Sequence, residues 1–199
     1  MSVVKLDQVD FSNISVDDPI KQENLYLSKI HYNNKDLVIQ TPKLTVVGCN
    51  GNDNIEVKIN EDLKSFLDGY DQFMINITTE KSSDWFSKEL SKSKVTQIYK
   101  KSNIMCDEVN VASFKIDENV KVYSRDKELN LDKIEVDTEV ILLIHASYLV
   151  FYKANCIPYF NTMHIKIKEK KLDCEFREIE EESSDKLPVK INLDEFEFN

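Results

Sequence analysis

Hydrophobic and polar positions alternate in short runs before residue 60. Ile55, Val57 and Ile59 alternate with Glu56 and Lys58, which is the period-two pattern of a strand with one buried face. Clusters of asparagine and glycine, which favour tight turns, separate this run from others of similar character. The pattern predicts short strands at 25–32, 37–40, 43–47 and 55–59.

The spacing of apolar residues changes after residue 60. From Leu63 to Ile77 they recur at i, i+3, i+4 and i+7, which predicts an amphipathic helix, and Asn60 is a suitable N-cap. Gly69 weakens this pattern, so a strand that begins near Phe73 is an alternative. Two shorter helices are predicted around 85–90 and 95–101.

Strand patterns return in the second half of the chain, which is rich in β-branched and aromatic residues. They cover 109–116, 120–123, 136–144, 148–152 and 159–168. Short strands around a helical insert indicate an α+β protein with a mainly antiparallel sheet. We favour an elaborated OB-like β-barrel over a sandwich; in the OB arrangement a helix lies between the third and fourth of five barrel strands.

Polar residues with a turn signal near the start, and acidic charge near the end, divide the chain into three segments. We predict an N-terminal arm at 1–22, an OB-like binding domain at 23–172 and an acidic tail at 173–199. The tail carries 10 acids and three bases, which accounts for most of the net charge of −10. The rest of the chain is close to neutral, and its cations are nearly all lysines, which suit loose contacts with phosphates.

The acidic tail ends in a segment that contains Phe196 and Phe198. One interpretation is a solvating, disordered terminus. We favour a short linear motif, which would dock in a basic, apolar pocket of a partner or return to a cationic groove of the protein itself. Phe196 and Phe198 are therefore predicted to be partner-binding residues.

Several classes of site and compartment find no support in the sequence. The four cysteines are too widely spaced for a zinc site, and no apolar stretch reaches the roughly 18 to 20 residues that span a bilayer. The N-terminus lacks the apolar region of a signal peptide. We therefore expect an intracellular protein with no membrane span, metal or other cofactor.

Catalytic motifs are also missing from the sequence. There is no phosphate-binding P-loop, and the loop at 48–54 lacks the spacing of a calcium site. His31, His145 and His164 are far apart, and none has a nearby nucleophile in a recognisable arrangement. We therefore predict a protein without enzymatic activity.

Lysines are interleaved with aromatic residues in several segments of the chain. Binding of single-stranded nucleic acid needs a cationic groove for the backbone and flat rings for the bases, and both residue types are present. Core packing is the competing interpretation for any one ring, whereas Trp85 lies beside charged residues near a helix start. The predicted DNA-binding residues are Tyr32, Lys35, Lys43, Trp85, Phe86, Lys88, Lys100, Lys101, Lys121 and Tyr123.

Two short motifs carry a resemblance to a known family. The run I-Q-T-P-K at 39–43 and the run S-D-W-F-S-K at 83–88, together with the acidic, aromatic tail, resemble the phage-type single-stranded DNA-binding proteins of large nucleocytoplasmic DNA viruses. The resemblance implies an OB-fold core that coats single-stranded DNA in viral replication or recombination. It also implies a tail that recruits replication proteins and competes with DNA for the groove.

Other interpretations stay open at this stage. The competing function is a virion structural or assembly protein of such a virus, with no role in nucleic-acid binding. A homodimer is one alternative for the oligomeric state. The expected compartment is the host cytoplasm, at the viral factory, or the nucleus.

Overall fold

The computed structural model describes residues 3–50, 53–125 and 127–168. Strands dominate this part of the chain, and three helices interrupt them. In chain order the strands are β1 (Val3–Lys5), β2 (Ile14–Val16), β3 (Ile20–Gln22), β4 (Leu25–Tyr32), β5 (Leu37–Gln40), β6 (Leu44–Asn50), β7 (Asn54–Lys58), β8 (Ile104–Cys106), β9 (Val109–Ser124), β10 (Lys127–Leu129), β11 (Glu139–Tyr152) and β12 (Asn155–Lys168).

Five of these strands close into a barrel. β6 pairs with β7 and β7 with β9, both antiparallel, and β9 then pairs with β12 in parallel. β12 pairs antiparallel with β11, and the start of β11 pairs with β6, which completes the circle. This is the strand order of an OB barrel, so the predicted fold class is confirmed.

The helices lie between the second and third barrel strands, not between the third and fourth. They are α1 (Glu61–Glu80), α2 (Ser82–Phe86) and α3 (Lys92–Ile98). The side chain of Asn60 accepts a hydrogen bond from the backbone N–H of Leu63, as a helix N-cap does. The alternative of a strand near Phe73 is wrong, because the buried stripe of α1 continues through Met74 and Thr78.

Two of the barrel strands are longer than the sequence predicts. The segments 109–116 and 120–123 belong to β9, and the segments 136–144 and 148–152 fall largely within β11. β11 shifts register between Ala146 and Tyr148, where two successive residues, Ala146 and Ser147, are both buried. Such a bulge breaks the period-two pattern without ending the strand, so the sequence shows two runs.

The segment up to residue 22 pairs at three places with β4 and β5, two strands that add to the barrel through β11. β1 pairs in parallel with β5, and both β2 and β3 pair antiparallel with β4. The boundary that divides an arm at 1–22 from the domain stays a prediction. A hydrophobic core fills the barrel and the space beneath α1; its largest fully buried side chains include Tyr70, Phe114, Ile30, Leu37, Ile39, Leu63, Leu67, Met74, Leu142 and Ile144.

No helix in the described residues is long and apolar enough to cross a membrane. The predicted tail at 173–199, with Phe196 and Phe198, lies outside the described residues.

Candidate nucleic-acid interface

The candidate interface lies on the outer side of the sheet that β9, β12 and β11 form. Along β11 the side chains of Leu142, Ile144 and Leu149 are fully buried in the barrel, whereas residues that alternate with them are partly exposed. Directly paired residues of neighbouring strands project from the same side of a sheet. The strand register therefore identifies which residues share the outer side with these partly exposed positions.

Four rows of paired residues cross this side of the sheet, and lysines and rings recur in them. We call their combined surface the lysine–tyrosine face. The rows consist of Lys29, Tyr148 and Tyr159; of His145, Asn161 and Lys115; of Gln40, Leu143, His164 and Lys121; and of Ile141, Lys166 and Tyr123.

The turn between β11 and β12 extends the same surface. Lys153 lies in this turn with its ammonium group 5.0 Å from the centre of the Tyr152 ring, a cation–π contact. Tyr152 alternates along β11 with the buried Phe151. The loop between the fourth and fifth strands is part of the nucleic-acid surface in OB folds, and here it presents a ring and a cation.

Acidic residues partner three lysines of the face. Lys115 contacts Asp53 at 3.0 Å, Lys121 contacts Glu128 at 3.4 Å, and Lys29 contacts Asp36 at 3.5 Å. The hydrogen bond to the Asp53 carboxylate raises the pKa of Lys115, so this side chain stays charged. The side chains of Asp53 and Glu128 are 77% and 58% exposed, so water screens both pairs.

Two histidines lie within the face. Burial, the largest cause, lowers the pKa of His145, although Asp36 opposes the effect with an oxygen 3.9 Å from Nε2. His164 packs edge-on against Tyr123, with the ring centres 6.0 Å apart. At neutral pH the lowered pKa leaves His145 uncharged, so the lysines carry the positive charge of this surface.

The structure places some of the predicted DNA-binding residues on or beside this face. Lys121 and Tyr123 belong to it. Lys100 is exposed at the edge of β12, where its backbone N–H donates to the carbonyl of Cys156. Lys35 is exposed after the β4–β5 turn, and Lys43 pairs with Glu139 at 2.7 Å where β11 meets β6.

Trp85 and Phe86 are packed on the other side of β11. Both rings contact the ring of Phe151 edge-on, with centres 5.7 and 5.3 Å away. The indole N–H of Trp85 also donates to a carboxylate oxygen of Asp18 at 3.0 Å. Lys88 is exposed just after α2. Trp85 and Phe86 thus lie close together, with Lys88 two residues further along the chain, and none of the three belongs to the rows that contain Lys121 and Tyr123. The role of Trp85 in base stacking stays a prediction.

Two further predicted residues, Tyr32 and Lys101, lie outside the rows of the face. The hydroxyl of Tyr32 donates to the carbonyl of Gln8 and accepts from the N–H of Asp10, both at 3.3 Å, which ties the N-terminal segment to β4. Lys101 is exposed near Asp68 on α1. The set predicted from sequence is therefore spread over several sides of the domain.

The sequence prediction missed most of the face. Tyr148, Tyr159, Lys29, Lys115 and Lys166 were not in the predicted set. The alternation within 148–152 could have shown which residues share a side, whereas in 159–168 the register shift between Thr162 and His164 interrupts the alternation and hides the side on which Lys166 lies. The pairing between strands could not be read from the sequence.

Other concave or reactive features of the described residues fit a polyanion less well. A hollow of about 710 Å³ lies beside β1 and α1, and its lining includes the carboxylates of Asp7 and Asp62 with one lysine, Lys5. No group of three or more metal-ligating side chains occurs in the described residues. Burial raises the pKa of the Cys156 thiol to about 12, so this thiol stays protonated and unreactive.

Comparisons with solved structures find a phage protein. The single-stranded DNA-binding protein from bacteriophage Enc34, as a C-terminal truncation, has a TM-score of 0.46 at 11% identity, covering 78% of this chain and 95% of that chain. Its complex with single-stranded DNA has a TM-score of 0.43 at 12% identity, with coverages of 77% and 95%. At this distance the likeness carries no conclusion about what this chain binds.

Sequence comparisons give one family. No curated protein matches the sequence. The resemblance to the large nucleocytoplasmic DNA virus proteins therefore stays a hypothesis. The model of a family described as "Family of unknown function (DUF5871)" matches residues 43–179, which is more than half of the chain. The chain belongs to this family of unknown function, DUF5871.

Proposed function

We propose that this protein binds single-stranded DNA on the lysine–tyrosine face, without enzymatic activity and without strong sequence preference. The proposal depends on one observation: strand pairing on an OB barrel places the rings of Tyr148, Tyr159 and Tyr123 in the same rows as lysines. Bases stack on rings while lysines follow the backbone, and every base has a π-face, so sequence matters little.

Ion pairs on the face do not prevent this function. An exposed pair such as Lys121 with Glu128 contributes about 0–1 kcal/mol, so a phosphate can replace the carboxylate at small cost. Each lysine that neutralises a phosphate releases counterions, so affinity falls steeply as salt rises. The nearly neutral body predicts binding that is strongest at low salt.

The proposal extends to the biological role. The motifs at 39–43 and 83–88 support a single-stranded DNA-binding protein that acts in viral DNA replication or recombination, in the host cytoplasm or nucleus. The tail at 173–199 would recruit replication proteins through Phe196 and Phe198 and would compete with DNA for the face.

The competing role, a virion structural or assembly protein, requires a broad apolar surface. Among the described residues, the most exposed large apolar side chains include Ile20, Ile104, Met105 and Val136, at 68%, 63%, 72% and 59%. Of these four, only Ile104 and Met105 are adjacent along the chain. The lysine–tyrosine face brings rings and lysines together on one side of the sheet, so we favour DNA binding.

Two matched variants test the proposal. A fluorescently labelled oligo-dT is titrated with the full chain, with Lys121→Ala, and with Lys92→Ala as control. Both substitutions remove one exposed lysine, but only Lys121 lies on the face. We expect Lys121→Ala to weaken binding several-fold at low salt and to reduce the salt slope by about one, with Lys92→Ala close to wild type. Equal effects of the two substitutions would argue against the face.

A further inference from the structure

A hollow interrupts the lysine–tyrosine face. It has a volume of about 230 Å³ and lies where the two rows that contain Gln40 and Tyr123 meet. Ile141 and Leu143 of β11 line it with apolar surface. Two adjacent apolar side chains on the outer side of a strand, among lysines and rings, are unexpected on a surface that only contacts phosphates.

Polar groups surround this apolar patch. Gln40 on β5 is exposed, and its amide offers both a donor and an acceptor. Tyr123 and Lys166 line the hollow on the side opposite Gln40, beside His164. The Nδ1 atom of His164 is buried and has no hydrogen-bond partner among the described residues. The hollow thus combines an apolar wall, an aromatic ring and a group able to pair with a polar edge.

The size of the hollow limits what it can hold. Pockets for drug-sized ligands have volumes of roughly 300–1,000 Å³, so a hollow of about 230 Å³ suits a single planar ring system. Lys166 of β12 lines the hollow and Lys121 lies beside it on β9, where both can neutralise phosphates. A nucleotide in a DNA strand has a base with apolar faces and a hydrogen-bonding edge, and its sugar is flanked by phosphates. The apolar wall, the amide of Gln40 and the two lysines match these three features.

We propose that the hollow holds one nucleobase of bound single-stranded DNA. Its faces contact Ile141, Leu143 and Tyr123, its edge pairs with the amide of Gln40, and the flanking phosphates lie against Lys121 and Lys166. The inference rests on the proposed function and makes it more specific, because it assigns one nucleotide to a defined subsite.

The test uses two oligonucleotides that differ only in their bases. Fluorescence anisotropy of the full chain is measured with labelled oligo-dT of about 15 residues and with an abasic oligonucleotide of the same length. Leu143→Trp fills the hollow, and Gln40→Ala removes the amide without filling it. Ile104→Trp, which places a tryptophan at an exposed position of β8 that belongs to none of the rows of the face, is the matched control, and thermal denaturation confirms that each variant is folded.

The expected result separates bases from phosphates. Wild type binds oligo-dT more tightly than the abasic oligonucleotide. Leu143→Trp lowers the affinity for oligo-dT about tenfold, Gln40→Ala lowers it several-fold, and neither changes the affinity for the abasic strand. Ile104→Trp leaves the affinity for oligo-dT unchanged.

Three other outcomes overturn the proposal at different levels. If wild type binds neither oligonucleotide at low salt, the proposed function fails, and the subsite fails with it. If wild type binds oligo-dT and neither Leu143→Trp nor Gln40→Ala weakens this binding, the face binds DNA but the hollow does not hold a base. If wild type binds both oligonucleotides equally, only phosphates are recognised, and the subsite is wrong.

Discussion

Asp71 is a carboxylate buried in α1, where it is 3% exposed. It accepts hydrogen bonds from the hydroxyl of Tyr99 at 2.9 Å, from the backbone N–H of Ser102 at 3.0 Å, and from the hydroxyl of Ser102. These bonds fix the chain after α3 against α1. Burial raises the pKa of Asp71 above its ordinary value, although the hydrogen bonds from Ser102 and Tyr99 oppose this effect.

Replacing Asp71 should therefore cost much more stability than replacing an exposed acid of the same helix. Asp71→Ala leaves the buried hydroxyl of Tyr99 without its acceptor, so we expect a loss of about 3 kcal/mol in the free energy of unfolding. Glu80→Ala, at the exposed end of α1, should change it by less than about 0.5 kcal/mol. Urea denaturation measures both, and equal losses would contradict this account of Asp71.

The pH dependence of this loss follows from the raised pKa. A carboxyl group with a raised pKa in the folded state contributes most to stability below its unfolded pKa of about 3.8, and this contribution is lost as pH rises through the folded pKa. The cost of Asp71→Ala should therefore be larger near pH 3.5 than near pH 7. A cost that grows with pH would show that hydrogen bonding outweighs burial at this site.

At the scale of elements, the ring of Phe11 packs the N-terminal segment against α1. Phe11 packs against Phe66 and Phe73, with ring centres 5.8 and 6.0 Å away. A β-carbon added at Gly69 would lie only 2.9 Å from a ring carbon of Phe11. The glycine that weakens the helical pattern in the sequence thus gives the ring its place on the helix.

A double-mutant cycle tests this contact. Gly69→Ala alone should destabilise the protein, because the added methyl group displaces the ring of Phe11. In the Phe11→Ala background the same substitution should stabilise it by about 1 kcal/mol, because alanine is then favoured within a helix. Thermal or urea unfolding of the four proteins gives the result. The same sign of the Gly69→Ala effect in both backgrounds would exclude the proposed contact.

For the whole molecule, the sequence predicts the elements better than the site. The strands at 25–32 and 37–40 agree with the structure, because turns bound them and their patterns are regular. The position of the helices in the barrel order depends on strand pairing, which no local pattern encodes. Trp85 illustrates the same limit: its neighbours suggest exposure, but its ring packs against Phe151 across the fold.

The tail provides a test at the same scale. Its residues 173–199 carry 10 acids and three bases, so it is a polyanion on the same chain as the lysine–tyrosine face. Deleting them should strengthen binding of oligo-dT at low salt, and the gain should shrink as salt rises, because the competition is electrostatic. Phe196→Ala with Phe198→Ala keeps the charge and should leave the affinity unchanged. Weaker binding by the truncated chain would contradict competition by the tail.

Protection of individual lysines tests the central claim most directly. The full chain is acetylated under limiting conditions with and without oligo-dT, and the rate of modification at each lysine is measured by mass spectrometry. The lysine–tyrosine face predicts that bound DNA slows acetylation of Lys29, Lys115, Lys121 and Lys166, while Lys88 and Lys92 react as before. Protection of Lys88 and Lys92 instead, or no protection of any lysine at low salt, would contradict the assignment of this face as the DNA-binding surface.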